Sequence, residues 1–271
     1  MDVVKVAGAP DGVSGAIVAS GENVPVVVVS GFEDRDYGVR ARRLLGLDQP
    51  GIAGCFFIDD AAMRSVHRAV CGVRLDELLA ALPQPGRLPP TFAAWVAARV
   101  ALLQRQVNRE ERRVAFAASD VIVAWDGAVW LCPRPVRSAA VAPWLAMANP
   151  PEVARGQRAS AASDVHTVGA VLYTLLAEEG PWPGRTHIEV LEAVAMTTPK
   201  PLPPSTWAPL AEACLRPEAR DRPDLMRVLA GLGRQNDVDE RSYCCGLLAE
   251  LFADRRRQEL EWLEQLALVT L

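Results

Sequence analysis

The strongest constraint on the fold is a change of hydrophobic period close to residue 74. Ahead of it, residues 3–7, 16–19 and 24–29 are short valine-rich runs bounded by Gly, Asp, Asn and Pro, the pattern of a small antiparallel sheet. Tyr37, Ala41, Leu44 and Leu45 then recur at helical spacing until Gln49-Pro50 breaks the segment. Two more strand-like runs, 55–58 and 65–70, precede a turn expected at Gly72. From Leu75 onward the period is helical. Residues 75–82 form one short helix, and Phe92, Trp95, Val96, Val100 and Leu103 trace a longer one. Strands at 121–124 and 128–131 flank Asp126-Gly127, a pair suited to a tight hairpin. Residues 163–176 predict a nearly all-apolar helix, with further helices at 187–196, 207–215 and 224–232. The pattern predicts an α+β chain with a small sheet-rich lobe over 1–73, a larger helical lobe over 74–235 and an amphipathic helical extension over 236–271. In that extension Cys244, Leu247, Leu248, Leu251 and Phe252 share one face.

Bulk properties exclude several functions. The formal charge of −4 over 271 residues leaves no basic stripe for a nucleic-acid backbone. The six cysteines lack the paired spacing of a zinc site or a disulfide framework, so thiols in a reducing compartment are expected, and no metal site. The start MDVVKV lacks the basic and apolar regions of a leader, and no apolar run reaches the ~20 residues that cross a bilayer. These features predict a cytoplasmic protein with neither membrane nor nucleic-acid partner.

The order of a β-rich lobe with one helix and then a helical lobe is that of a protein kinase. Two stretches carry the likeness: PPEVARGQRASAASDVHTVGAVLYTLLAEEGPWPG and CLRPEARDRPDLMRVLAGL. They resemble the part of bacterial Ser/Thr kinases that runs from the Ala-Pro-Glu motif through the Ser-Asp-Val-Tyr-Ser-Leu-Gly helix to the Arg-Pro before the last helix. LLGLDQPGI, GVRLDELL and SDVIVAWDGAVWL are similar to the helix end, the hinge and the catalytic-loop strand pair of that family, and LLAELFADRRRQELEWLE resembles the extension of myxobacterial kinase domains. The resemblance implies a protein kinase-like bilobal fold. Physically, Glu152 on a loop and Arg222 before a helix are spaced to meet as a buried bidentate pair. Asp164, at the start of an apolar helix, is expected to cap free amides and accept from the neighbouring loop backbone.

The positions that would do chemistry read differently. Phosphoryl transfer needs a phosphate-binding lysine, its glutamate, a catalytic aspartate and magnesium ligands. The resemblance sets Val29 at the lysine, Arg40 at the glutamate, Ala115 at the catalytic aspartate, Asp120 at the metal-binding asparagine and Pro133 at the magnesium aspartate. No lysine lies between Lys5 and Lys200 to substitute. Gly12 and Gly15 remain of the glycine loop, with Pro10 in place of the first glycine, and a turn is the simpler reading. Asp120 reads as a solvated loop acid. Arg113 and Arg134 stand where the family has an interlobe histidine and phenylalanine, so both are expected to point outward or find acids. No cofactor is expected. The expected function is a pseudokinase that binds an active kinase or another regulatory protein through the loop 133–149 or the C-terminal helices. Homodimerisation through the extension is a further expectation. The alternative is a divergent nucleotide-dependent enzyme built on Lys5, Asp120 and Asp126.

Overall fold

The computed structural model describes residues 3–4, 15–19, 22–30, 41–47, 49–59, 61, 64–83, 86, 88–108, 113–132, 146–233 and 236–268. The chain is α+β. Strands β1 (Val3–Val4), β2 (Gly15–Ala19), β3 (Glu22–Ser30), β4 (Cys55–Asp59) and β5 (Arg64–Arg68) form an antiparallel sheet in the order β1-β2-β3-β5-β4. Pro25 sits in β3 opposite Ala16, just before β5 joins at the Val26–Arg68 pair, so its missing N–H interrupts no ladder on the β5 side.

A second sheet, β6 (Gly72–Arg74), β7 (Val121–Ala124) and β8 (Val129–Leu131), runs in that order, all antiparallel. The β7–β8 turn is the Asp-Gly hairpin. Asp126 Oδ1 accepts from Ala128 N at 2.9 Å, and Gly127 takes a positive φ of 77°. Segment 51–53 clips onto β8, with Leu131 N donating to Gly51 O at 2.7 Å and Ala53 N to Leu131 O at 2.8 Å. The turn expected at Gly72 is instead the first residue of β6. A Cβ there would lie 2.3 Å from the Val123 carbonyl oxygen, so glycine is what lets this strand close on β7.

The remaining elements are helical: α1 (Leu75–Ala81), α2 (Pro90–Val107), the single turn α3 (Pro151–Ala154), α4 (Ala161–Ala177), α5 (His187–Met196), α6 (Ala208–Cys214), α7 (Leu225–Leu232), α8 (Asp237–Leu251) and α9 (Ala253–Leu268). Every residue of α4 from Ser163 to Leu175 is buried, as an all-round apolar helix must be, with α2, α6 and α7 packed around it. Gly169 permits the closest approach, since a Cβ there would meet Cys214 Cβ at 2.4 Å.

One hydrophobic cluster runs from Ala41, Leu44 and Cys55 through Phe92, Trp95 and Leu172 to Cys244, Leu247 and Leu248. It therefore crosses both boundaries drawn from the sequence, at 73/74 and 235/236. The C-terminal segment is part of this core rather than an appendage. Its apolar stripe packs back on the body because α2 presents Phe92, whose ring lies 5.6 Å from that of Tyr243, and Trp95, whose Nε1 donates to Asp237 Oδ1 at 2.8 Å. Among the described residues no helix is long and apolar enough to cross a membrane.

Two glycines separate packing from propensity. Gly169→Ala forces α4 off α6 and is expected to cost about 1–3 kcal/mol. Gly246→Ala inside α8 meets nothing within 4 Å and is expected to gain up to about 1 kcal/mol. Urea denaturation of both variants measures the contrast.

Candidate functional site

The helical body is organised around Arg222. Its side chain is fully buried before α7 and finds five acceptors. Nη1 and Nη2 grip Glu152 Oε1 and Oε2 at 2.9 and 2.7 Å, while the carbonyls of Ala162, Arg216 and Pro217 take the other donors at 3.0, 2.8 and 3.1 Å. Ser163 donates to Glu152 Oε1 at 2.8 Å, so α3, the start of α4 and the 216–222 loop meet at one carboxylate. Burial pushes the Glu152 carboxyl up, but Arg222, its own backbone amide and Ser163 outweigh it and hold the group below its usual range. Behind this pair His166 stacks on Trp182 with ring centroids 5.5 Å apart, and burial pushes the imidazole down to about 3, so it is neutral. Nothing in the spacing of the sequence marked that histidine.

Asp164 does not cap α4. Ser160 is the N-cap residue, with its amide donating to Ser163 Oγ at 2.9 Å, and Asp164 lies one turn inside. From there the carboxylate reaches the 113–120 loop through side chains rather than backbone amides. Oδ2 pairs with Arg113 Nη1, and Oδ1 accepts from Asn108 Nδ2 at 2.9 Å. Asn108, at the end of α2, also accepts from Val114 N at 2.7 Å and so holds the loop to the helix. A lone Asn after a helix carries no sequence signal that sets it apart from an ordinary C-terminal cap. Arg113 has thus found an acid. Burial pushes the Asp164 carboxyl up to about 6 against the pull of Arg113 and Asn108.

Farther along this loop, Ala115 presents a methyl group where the resemblance implies the catalytic acid, between buried Val114 and Phe116. Asp120 is not the solvated acid expected from the sequence. It is 1 % exposed in a 3₁₀ turn, where Oδ2 accepts from Ala117 N at 2.9 Å and its carbonyl accepts from Cys132 N at 2.7 Å. The turn closes on its own aspartate because the adjoining Ala117 and Ala118 are buried and water is excluded.

Val29 lies on β3 opposite Ser65, with Val28 opposite Val66. On β5, buried Ser65 and His67 sit with Oγ and Nε2 at 3.0 Å, a polar pair that the strand pattern did not single out. Gly15 opens β2 opposite Val26. Gly12, Arg40, Pro133, Arg134 and Lys5 lie outside the described residues, as does most of the 133–149 loop. Among the described residues no group of three or more His, Cys, Asp or Glu side chains is placed to hold a metal ion.

The second polar centre joins α9 to β6, the strand that leads from the five-stranded sheet into α1. Glu259 is 4 % exposed and receives Gly72 N and Trp125 Nε1 on Oε2 at 2.9 and 2.8 Å, and Arg255 Nε on Oε1 at 2.9 Å. Arg255 continues to Gly72 O at 2.8 Å and Glu77 Oε2 at 2.9 Å. Burial pushes Glu77 up, but Arg255 and Arg74 beside it hold it below its usual range. One helical turn on, Trp262 is buried. Residues 255, 259 and 262 form one stripe of α9 that fastens the helix over Gly72.

Both carboxylate centres predict measurable losses. Removing one partner of a buried pair strands the other, so Glu152→Ala and Glu259→Ala are each expected to cost about 3–5 kcal/mol in chemical denaturation. The pH dependences have opposite signs. Glu152 is held below 4.5, so its contribution is complete above that pH and is lost on acidification; Glu152→Gln flattens the acid limb of a thermal-melt profile. Asp164 is raised from 3.8 to about 6, so the fold holds its proton more tightly than the unfolded chain does. Stability from this group therefore falls as pH climbs through that window, and Asp164→Asn removes the decline.

No protein-family model matches the chain, and no curated protein matches it.

Proposed function

We propose that this chain is a protein kinase-like domain that binds a protein partner as a regulatory or scaffold module and does not transfer phosphate. Its ancestry is supported by the order of elements, a five-stranded antiparallel sheet followed by a helical body, and by the Glu152–Arg222 pair, which ties α3, a helical turn where the sequence predicted a loop, to the segment before α7. The observation that carries the loss of chemistry is the 113–120 loop. Arg113 is neutralised by Asp164, Ala115 offers no base, and Asp120 is turned onto the Ala117 amide. The position aligned with the catalytic base therefore offers no group to take a proton from a hydroxyl, and the one nearby carboxylate already has one oxygen engaged in its own turn.

The alternative, a divergent nucleotide-dependent enzyme, loses support from two of its three candidate residues. Asp126 is committed to the hairpin turn and Asp120 to its own 3₁₀ turn. The proposed partner is an active kinase or another regulatory protein in the cytoplasm. The buried Cys244, Leu247 and Leu248 make homodimerisation through the C-terminal stripe unfavourable, because that face already packs within its own chain.

A thermal-shift titration with ATP and either magnesium or manganese tests this reading. No stabilisation is expected. Saturable stabilisation of about 2.7 kcal/mol at a hundredfold excess over the dissociation constant would favour the enzyme. Light scattering is expected to return the monomer mass of 29.3 kDa at micromolar concentration.

A further inference from the structure

Beside the stripe that fastens α9 runs a second one, Arg256, Leu260 and Leu263, again at helical spacing. This stripe holds Leu260 half-buried against the core and leaves Arg256 exposed. It forms one wall of a cavity of about 520 Å³, whose other walls are Trp125 and Trp130 of the β7–β8 hairpin and Val70 beyond β5. The cavity lies at the turn end of the hairpin. Val70 and Trp130 also rest against a small buried cluster of Ala53, Ile122 and Cys132.

We propose that this cavity is a binding site for a small flat amphipathic anion, an aromatic or acyl body carrying a carboxylate, sulfonate or phosphate. Three observations point to that class. The volume falls in the range of small-molecule sites, about 300–1,000 Å³. Two indoles and two leucines supply an apolar slot that suits a planar body. The charged groups on the lining are Arg68 and Arg256 against Asp126, an excess of one positive charge, and Asp126 Oδ1 is already taken by the Ala128 amide. Arg256 is exposed at the rim, where a guanidinium can meet an anionic head without giving up water. A ligand bound here spans α9, the hairpin and the segment entering β6, so its binding energy adds to the Glu259 contacts that hold the helix down. The proposal does not depend on the kinase resemblance.

The test uses the full-length chain and two fluorescent probes with one apolar body: 8-anilino-1-naphthalenesulfonate, and uncharged N-phenyl-1-naphthylamine. The sulfonate is expected to bind at one saturable site, roughly tenfold tighter than the neutral probe, the effect of one charge-assisted contact. Arg256→Glu is expected to abolish that preference. Ala124→Phe, which fills the slot from the hairpin side, is expected to weaken both probes. Alkylation of half-buried Cys71, which lines the cavity, is expected to slow when the sulfonate is bound. Circular-dichroism melts establish that each variant is folded, and Arg256→Glu alone decides if Ala124→Phe is not. Equal affinity for the two probes, unsaturable binding, or an Arg256→Glu protein that still prefers the sulfonate would overturn the proposal.

Discussion

Five hydrogen bonds converge on the guanidinium of Arg222 with no access to water, and the helical body is arranged so that they can. A buried arginine is tolerable only when every N–H has an acceptor and a carboxylate balances the charge. That condition fixes the position of α3 through Glu152, the first turn of α4 through Ala162 and Ser163, and the 216–222 loop through its own carbonyls. Once α4 is pinned at its start, its apolar surface is covered by α2, α6 and α7, and Asp164 one turn in reaches Arg113 and Asn108. The 113–120 loop is therefore held in place by the same helix, and what it presents is an alanine and an inward-turned aspartate.

The second dependence is on Gly72. Because it has no side chain, β6 lies close enough to β7 for the Glu259 carboxylate and the Arg255 guanidinium to reach its amide and its carbonyl. The C-terminal helix is thereby fastened to the strand that joins the sheet to the helices, and it also packs against β3. An element that reaches both the sheet and the connector restrains the angle between what lies on either side. The same helix lines the cavity beside Trp130 with its neighbouring stripe, so a ligand bound there would be energetically linked to the hold on Gly72.

Much of this was legible in the residues. Strand and helix periods located β2 to β5, the hairpin at Asp126-Gly127 and helices α1, α2 and α4 to α7 within a few residues, because those elements bury one clear face or sit beside strong breakers. The Glu152–Arg222 pair, 70 residues apart, was to be expected only through the kinase resemblance and not from any local pattern. What could not be read were contacts made by elements distant in sequence. Glu259 looks like one more acid in a charged helix until Gly72 and Trp125 are brought to it, and Gly72 looks like a turn until Val123 is beside it. Asp120 reads as solvated because its burial comes from apolar neighbours that only the fold assembles. The stripe of Cys244, Leu247 and Leu248 was visible, but a hydrophobic face does not state what covers it.

In the proposed reading the domain keeps the interactions that hold its helices together, while Ala115 is apolar and Asp120 is engaged with the Ala117 amide. The most direct measurement is incubation of the purified full-length chain with radiolabelled ATP, magnesium or manganese and a general protein acceptor, alongside an Asp120→Ala control. The account predicts no label above background in either the chain or the acceptor. Incorporation that scales with protein concentration and disappears in the Asp120→Ala protein would contradict it.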